Sequence, residues 1–535
     1  MISEKAFRKY DIRAIIEQEL PISEVYKLGK AICTFLILKD KNLKSIAVGM
    51  DVRIHSKAIK EELCRAIIDS GLNAIFIGEC PTPTLYYATK ILKVEAGIMI
   101  TASHNDKEYN GLKILLNGDS VWDQDIQEIK KIYFSSLDTS TPSTLEMNGV
   151  DYFAENKAPA THSEYFAERE VTATHPECFA ESKMYRRMHE NLLLNNYIEY
   201  LCSQFEHIKN RTINMIIDCG NGAAALVIPE LVKKMNWQNA QLLFAEVDGN
   251  FPNHEPDPTN ENNLAELKKI IINYSNPSTS SGRAERELSA AFTPEKFEGS
   301  GQAVNYGLAL DGDCDRLVVI NSDGKMVPGD KLLTLFAINL KNKGNIVFDI
   351  KCSNNVSKIL TSTGHTPNIC ATGHANIKET MKKTDALLGG ELSGHFCFTD
   401  RYFGYDDAIY ALMRFIEIAT TQKDLFSFWP EQVNSPEFRI KCATVEPQKV
   451  VELARKNLAA QNIKITNIDG VRIETETGWA ILRASNTEPV LSIRFEADNE
   501  KELNNLKKIL YDAISLQNEH LDMLKLKSEI GLRTD

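Results

Sequence analysis

Three stretches of the chain repeat one pattern of hydrophobic and polar positions. Each begins with a short apolar strand that ends at an aspartate, continues through a polar turn and an amphipathic helix, and closes with another apolar strand. The strands are, in pairs, Ala47–Asp51 with Ala74–Gly78, Met215–Asp218 with Leu242–Phe244, and Ile346–Asp349 with Asn368–Cys370. This order is the βαβ unit, so the pattern predicts three related α/β domains with mixed sheets. Generic α/β patterning without a common origin is the alternative.

The last hundred residues follow a different pattern. Short alternating strands at Phe438–Lys441, Gly470–Ile473, Trp479–Arg483 and Leu491–Phe495 precede a helix from Lys501 to about Leu516. Separate strands and helices favour an antiparallel α+β domain. The predicted organisation is therefore domain 1 at 1–148, an insertion at 149–190, domain 2 at 191–325, domain 3 at 326–432 and domain 4 at 433–535.

Two segments differ in composition from the rest. The first insertion repeats a 13-residue unit, with Tyr-Phe-Ala-Glu at 152–155 and 165–168 and Cys-Phe-Ala-Glu at 178–181. A second insertion, at about 276–303 within domain 2, opens with a run rich in serine and proline. Such segments are typical of exposed excursions from a folded domain. We expect passive surface insertions; a partner-binding role is the alternative.

Composition narrows the possible functions. The chain has 535 residues, 43% hydrophobic and 25% charged, with a net charge of −12, which argues against binding to nucleic acid or an anionic membrane. Neither a transmembrane run nor a signal-peptide pattern is recognisable. Eleven cysteines without a Cys-x-x-Cys pair indicate reduced thiols, so we expect a cytoplasmic protein.

A serine and a histidine follow an apolar strand. Ser103 and His104 come three and four residues after the end of the segment Ala96–Ile100, at the strand end where open α/β sheets bind ligands. Lys113 lies ten residues after the serine and can fold back over the loop to stabilise a phosphoserine or move a proton. A Ser-His pair on its own is more often part of an ordinary turn.

An acidic loop supplies three carboxylates at alternate positions. Asp311, Asp313 and Asp315 lie between two apolar strands, so they can converge on one cation, and oxygen ligands suit Mg²⁺. An EF-hand is excluded because Arg316 and Ser322 occupy the positions of its glycine and glutamate. A solvated acidic turn remains the alternative. A hydroxyl that carries a phosphoryl group and a hard-cation site together favour phosphoryl transfer.

Two further loops offer polar groups to a ligand. Leu387–His395 places Glu391 and Ser393 among glycines, where they can bind sugar hydroxyls. Arg483–Pro489 combines an arginine with hydroxyls and an amide, a good phosphate cradle, and Arg494 on the next strand can add a second positive charge. Either loop alone is weak support for a site.

Together with Phe7–Arg13, these four motifs in this order resemble the α-D-phosphohexomutase superfamily, in its bacterial phosphomannomutase/phosphoglucomutase branch. The resemblance implies three α/β domains and a dissimilar fourth domain around a central cleft. It implies a phosphoserine at Ser103, with Mg²⁺ on Asp311, Asp313, Asp315 and Ser103. The residues implied to surround the phosphoserine are Tyr10, Arg13, His104, Asn105 and Lys113. The residues implied to face the sugar are Arg316, Lys351, His374, Glu391 and Ser393. Those implied to grip the second phosphate are Arg483, Ser485, Asn486, Thr487 and Arg494.

The implied activity is reversible phosphoryl transfer between the 1- and 6-positions of mannose or glucose phosphate, through a hexose 1,6-bisphosphate that also serves as activator. The implied partner is a small hexose phosphate, and the implied state is a monomer. Alternatives are a phosphoglucosamine-type mutase and a non-catalytic phosphosugar-binding protein. The second is prompted by the two insertions and by Asp106, which stands where the family's serine loop typically has proline.

Overall fold

The computed structural model describes residues 1–136, 185–187, 192–274, 305–442, 446–484, 490–515 and 523–532. The fold comprises two compact units, one of Met1–Val327 with Tyr405–Thr420 and one of Pro328–Gly404 with Thr421–Asp535. Nearly all of the tandem-repeat insertion, and the whole of the second insertion, lie outside the described residues. The boundaries of the four domains stay a prediction.

The first unit contains a seven-stranded mixed sheet. Its strands run in the order Ile12–Ile15, Tyr109–Leu116, Ala96–Ile100, Ser45–Met50, Asn73–Glu79 and Tyr185–Arg187, with Asp119–Ser120 paired to Tyr109–Leu116. The central strands pair in parallel, and Tyr109–Leu116 is antiparallel to both of its long neighbours. Its helices are Val25–Lys39, Ser56–Asp69, Thr82–Leu92 and Gln124–Ser135. The strand Tyr185–Arg187 was not predicted.

A second sheet of this unit carries the acidic loop. Its order is Met326–Val327, Leu317–Asn321, Tyr306–Leu310, Met215–Asp218 and Gln241–Leu243. The accompanying helices are Leu192–Gln204, Ile228–Met235, Ala265–Tyr274 and Ala408–Ala419. The helix expected after Met215–Asp218 is broken into a 3₁₀ turn, Ala223–Leu226, and Ile228–Met235, because Pro229 can occupy only the first turn of a helix.

The second unit holds a four-stranded sheet and a six-stranded sheet. The first runs Thr366–Cys370, Asn345–Asp349, Leu388–Gly390 and Phe396–Phe398, with helices Gly329–Ile338, Asn354–Ser362 and His374–Thr384. Its first three strands are parallel and its last is antiparallel, so the predicted mixed α/β architecture is confirmed.

The six-stranded sheet is antiparallel throughout. Its path is Val433–Asn434, Val490–Ala497, Gly478–Ala484, Val471–Glu474 and Ile465–Thr466, with Phe438–Lys441 also paired to Val490–Ala497. The helices are Pro447–Ala460, Glu500–Ser515 and Met523–Glu529. The predicted α+β character is confirmed, but the helix Pro447–Ala460 was not predicted. That helix packs Val450, Ala454 and Leu458 into the apolar core over the sheet.

Within the described residues, no helix is both long and apolar enough to span a bilayer.

Candidate active site

Ser103 lies in the loop that follows the buried strand Ala96–Ile100. It is only 2% exposed, and its backbone has φ +52°, in the left-handed region that non-glycine residues seldom adopt. Such a conformation costs on the order of 1–3 kcal/mol and persists only where surrounding contacts enforce it. The Ser103 N–H donates to Thr101 Oγ1 at 2.9 Å. Strain of this kind is concentrated at functional sites.

The Ser103 hydroxyl contacts a carboxylate and an imidazole. The O–H group donates to Asp311 Oδ2 at 3.0 Å, and its oxygen lies 3.0 Å from His104 Nδ1. The backbone of the acidic loop approaches the serine loop closely: a Cβ on Gly312 would lie 2.5 Å from the Ser103 carbonyl oxygen. Glycine at 312 therefore allows the two loops to meet.

The acidic loop connects the antiparallel strands Tyr306–Leu310 and Leu317–Asn321. Asp311, Asp313 and Asp315 are all buried, and each offers an oxygen within 4.8 Å of the others. Asp311 Oδ1 accepts the backbone N–H groups of Asp315 and Arg316, both at 3.0 Å, which directs Oδ2 to Ser103. The tight loop thus aims the three carboxylates at one place.

This carboxylate cluster fits a hard cation. Burial, and then the charges of Asp315 and Asp313, raise the pKa of Asp311 well above its ordinary value. Among the described residues, no hydrogen-bond donor reaches Asp313 Oδ1, although that atom is buried. Buried carboxylates need a compensating charge, and carboxylate oxygens are ligands that Mg²⁺ and Ca²⁺ prefer. Burial also raises the pKa of the neighbouring Cys314 thiol, which leaves a neutral group unsuited to Mg²⁺.

Lys113 lies on the strand Tyr109–Leu116, opposite Met99. Its Nζ is 2.6 Å from Asp313 Oδ2 and 2.5 Å from Asp315 Oδ2, so the ammonium contacts the carboxylate cluster. Burial lowers the pKa of Lys113, but the two aspartates raise it by more, and the group stays protonated. The lysine was predicted to fold back over the serine loop; its ammonium contacts two carboxylates of the cluster beside Ser103, and its role at the serine stays a prediction.

Arg13 reaches the serine loop from the strand Ile12–Ile15. Its guanidinium donates to the Asp11 carboxylate and, at 2.6 Å, to Asn105 Oδ1. Burial lowers the pKa of Arg13, but the charge and hydrogen bond of Asp11, together with the charges of Asp313 and Asp315, raise it by more. Tyr10, which was predicted to surround the phosphoserine, stacks on Trp122 with ring centroids 5.9 Å apart.

One residue that holds the serine loop was not predicted. Arg53 is buried, and its guanidinium donates to backbone carbonyls of the loop, among them those of Ser103 and Asn105. Its position two residues after Asp51, at the end of a parallel strand, was the only sequence signal. Backbone acceptors cannot be read from a residue pattern.

In the second unit, Glu391 is the centre of a polar cluster and is 2% exposed. Its carboxylate accepts the Gly373 N–H at 2.6 Å and lies 3.0 Å from His395 Nδ1, which is 3.1 Å from Ser393 Oγ. The His374 ring stacks on His395 at 5.6 Å. Burial would raise the pKa of Glu391, but the hydrogen bond and charge of His395, followed by Lys351, lower it to about 2. Glu391 is therefore ionised, and His395, to which the sequence analysis gave no role, holds it.

Lys351 and Arg494 come together in the same unit. Arg494 Nη1 donates to the Lys351 carbonyl at 2.8 Å, and the Lys351 ammonium lies 4.0 Å from Asp349 Oδ2. Arg483 donates from Nη2 to Asp469 Oδ2 at 2.9 Å. Ser485, Asn486 and Thr487, predicted in the phosphate cradle, lie outside the described residues.

The predicted residues therefore form two clusters. One, in the first unit, comprises Arg13, Ser103, His104, Lys113, Asp311, Asp313, Asp315 and the backbone of Arg316. The other, in the second unit, comprises Lys351, His374, Glu391, Ser393 and Arg494. Arg483, with its Asp469 partner, also lies in the second unit. The roles of these residues stay predictions.

Comparison with known proteins covers most of the chain. Four family models match it in order: phosphoglucomutase/phosphomannomutase alpha/beta/alpha domains I, II and III at residues 4–139, 195–324 and 328–433, and the phosphoglucomutase/phosphomannomutase C-terminal domain at 440–513.

Full-length relatives agree with these matches. A phosphomannomutase/phosphoglucomutase of Pseudomonas syringae pv. tomato is 32% identical over 531 residues, which cover 98% of each chain. A phosphoglucomutase of Neisseria gonorrhoeae is 32% identical, over 97% of this chain and 98% of the relative. The crystal structure of a phosphoglucomutase/phosphomannomutase family protein from Burkholderia thailandensis has a TM-score of 0.77 at 25% identity, covering 98% of this chain and 99% of that chain. By sequence and by fold, this chain belongs to the phosphoglucomutase/phosphomannomutase family.

Proposed function

We propose that this chain transfers a phosphoryl group reversibly between the 1- and 6-positions of mannose or glucose phosphate, through a phosphoserine at Ser103 and a hexose 1,6-bisphosphate. Family membership makes the chain a hexose phosphate mutase. The observation that carries the finer mechanism is the 3.0 Å hydrogen bond from the Ser103 hydroxyl to Asp311, in the cluster of three buried carboxylates. The proposed nucleophile is thus in direct contact with the carboxylates proposed to bind the cation.

Asp311, Asp313 and Asp315, together with a phosphoryl oxygen on Ser103, would hold Mg²⁺ in this proposal. When bound, the ion supplies positive charge to the phosphoryl oxygens as the transfer proceeds. The donor set supports this assignment because it contains only oxygen.

The chain's own residues position the reacting groups around Ser103. In the first transfer, the bond from phosphorus to Ser103 Oγ breaks while a bond forms from phosphorus to the free hydroxyl oxygen of the sugar, and the proton of that hydroxyl passes to Ser103 Oγ. A loose transition state asks the protein for positioning and positive charge, which Lys113 and Arg13 supply near the serine. His104 Nδ1, 3.0 Å from Ser103 Oγ, is a candidate to hold the serine proton in the reverse half-reaction.

The bisphosphate must then turn end for end, so that its other phosphate meets Ser103. Glu391 and Ser393 would bind sugar hydroxyls in either orientation, and Arg483 and Arg494 would hold the phosphate that is not reacting. Their side chains offer an ionised acceptor, a hydroxyl and two guanidinium groups, which is the chemistry that a phosphosugar requires.

The test is the conversion of glucose 1-phosphate and mannose 1-phosphate to the 6-phosphates, in the presence of Mg²⁺ and a trace of glucose 1,6-bisphosphate as activator. Phosphorus NMR monitors the reaction. Wild-type protein and Ser70→Ala, a matched serine variant at a helix end, should turn both over. Ser103→Ala should turn over neither. Full activity of Ser103→Ala contradicts the mechanism, and conversion of glucosamine 1-phosphate alone favours the phosphoglucosamine alternative. The monomeric state and the cytoplasmic location stay predictions.

A further inference from the structure

Arg53 binds the serine loop through its backbone. The side chain is fully buried, and Nη2 donates to the carbonyl oxygens of Ser103 at 2.8 Å and Asn105 at 2.5 Å. Nη1 donates to the carbonyls of Asp106 at 2.5 Å and Tyr109 at 3.0 Å. One guanidinium group thus bridges four carbonyls across the turn from the serine to the strand that carries Lys113.

The Ser103 carbonyl is confined from two directions. Arg53 Nη2 binds its oxygen, and the glycine at 312 lies so near the same oxygen that a Cβ there would be 2.5 Å away. The orientation of this peptide group fixes ψ of Ser103, whose φ is +52°. Together the two angles set the direction of the Cα–Cβ bond, from which the hydroxyl reaches Asp311.

Arg53 is itself held in place on two sides. Asp51 Oδ2 accepts from its Nε at 3.1 Å, and Asp51 Oδ1 accepts its backbone N–H, also at 3.1 Å, and the Ser56 hydroxyl at 2.8 Å. The guanidinium carbon lies 5.0 Å from the centroid of the Phe251 ring. A guanidinium fixed this firmly can impose a geometry on the flexible turn that it contacts.

We propose that Arg53 is a positioning residue for phosphoryl transfer, which holds Ser103 in its left-handed conformation with the hydroxyl on Asp311. This inference rests on the proposed function of Ser103. Arg53 makes no hydrogen bond to the Ser103 hydroxyl or to the three aspartates of the cation site. Its role differs from that of a charge in the site, because a lysine would keep the charge but could not span four carbonyls and a carboxylate.

The experiment measures the single-turnover rate at which glucose 1,6-bisphosphate phosphorylates Ser103, by intact-protein mass, together with kcat and KM for glucose 1-phosphate. Arg53→Lys should slow phosphorylation on the order of 100-fold, as expected when a nucleophile is misplaced by about 1 Å. KM should stay within about threefold, because the groups proposed to bind the sugar are unchanged. A residue that supports only folding would lower the phosphorylation rate only in proportion to the loss of folded protein, which the melting temperature of each variant measures.

Arg414→Lys is the matched control. Arg414 is also a buried arginine of the first unit, with Glu417 and Tyr410 as neighbours, and has no part in the site. This variant should show a comparable loss in Tm and a phosphorylation rate near that of the wild type. A second variant, Phe251→Leu, keeps the arginine but removes the ring beneath it, and should slow phosphorylation about fivefold.

Each outcome decides the inference. Phosphorylation of Arg53→Lys within about threefold of wild type, in protein that melts like Arg414→Lys, overturns it. If Arg53→Lys does not fold, a wild-type rate in Phe251→Leu overturns it. If the wild-type protein takes no phosphate on Ser103, the proposed function is overturned and this inference with it. If the wild-type protein is phosphorylated on Ser103 and Arg53→Lys is phosphorylated at the same rate, this inference alone is overturned.

Discussion

The Ser103 hydroxyl oxygen lies 3.0 Å from Asp311 Oδ2, although 208 residues separate the two in the sequence. The contact requires that two loops from different sheets of the first unit meet, and Gly312 is the residue at which they do. The arrangement joins a strained nucleophile to a buried carboxylate cluster. It also makes the site sensitive to small changes in either loop.

The first prediction concerns that close approach. Gly312→Ala would place a Cβ 2.5 Å from the Ser103 carbonyl oxygen, a distance that forces one loop to move. We expect kcat for glucose 1-phosphate to fall on the order of 100-fold, because the nucleophile is displaced. Gly344→Ala is the control, since its Cβ would meet only the side chain of Leu387, at 3.0 Å. Equal kcat values for the two variants would count against a critical loop contact.

The second prediction concerns the cation site. In metal-free buffer at neutral pH, Asp311→Asn should melt at or above the wild-type temperature, because it removes one of three mutually repelling buried carboxylates. With Mg²⁺ the wild type should melt at the higher temperature, because an ion that binds only the folded state stabilises it. Thermal melts with EDTA and with Mg²⁺ test this. Asp323→Asn, at an exposed turn, should keep the full Mg²⁺-induced rise; a full rise in Asp311→Asn would place the ion elsewhere.

The sequence predicted the positions of the chemical groups better than their contacts. Ser103 and the three aspartates could be found because they follow apolar strands, and the ends of such strands are where α/β sheets bind ligands. Arg53 could not, because its partners are main-chain carbonyls that every residue carries. Lys113 was assigned to the serine from its nearness in sequence, whereas its strand directs the ammonium to Asp313 and Asp315.

There are also physical reasons why two secondary-structure elements were not predicted. The helix Pro447–Ala460 is amphipathic and begins at a proline, signals that would have identified it, but the domain was interpreted through its strands. The strand Tyr185–Arg187 has only three residues and lies beside the tandem repeat, and its pairing with Asn73–Glu79 depends on tertiary structure. Short segments of this kind carry too little periodicity to be recognised.

The third prediction is a pH dependence of stability. The folded-state pKa of Glu391 is about 2, below its ordinary value of 4.5, so ionised Glu391 stabilises the fold above about pH 4.5 and this contribution disappears as the pH falls towards 2. A shift of this size corresponds to roughly 3 kcal/mol. The difference in urea midpoint between wild type and Glu391→Gln should therefore be constant from pH 7 to 5 and shrink below pH 4.5. A difference that grows on acidification would contradict the assignment.

The fourth prediction concerns the anchoring of Lys351. Buried Arg472 stacks on Trp479, with its guanidinium carbon 3.9 Å from the ring centroid, and donates to the carbonyls of Ile350 and Cys352, which flank Lys351. Burial lowers the pKa of Arg472 to about 10, so the group remains charged at neutral pH. Arg472→Ala should lower the free energy of unfolding by about 3 kcal/mol or more, and it should raise KM for glucose 1-phosphate.

Arg439→Ala, on an exposed strand position of the same sheet, is the control for Arg472→Ala. It should change stability by no more than about 0.5 kcal/mol. If Arg472→Ala lowers Tm but leaves KM unchanged, the arginine supports the fold without positioning Lys351.

The most direct test of the central claim is the location of phosphate on the protein after incubation with glucose 1,6-bisphosphate and Mg²⁺, mapped by peptide mass spectrometry. We expect a single added phosphate on the peptide that contains Ser103, and none on Ser103→Ala. Phosphate on another residue, or an unmodified protein that still interconverts the hexose phosphates, would contradict it.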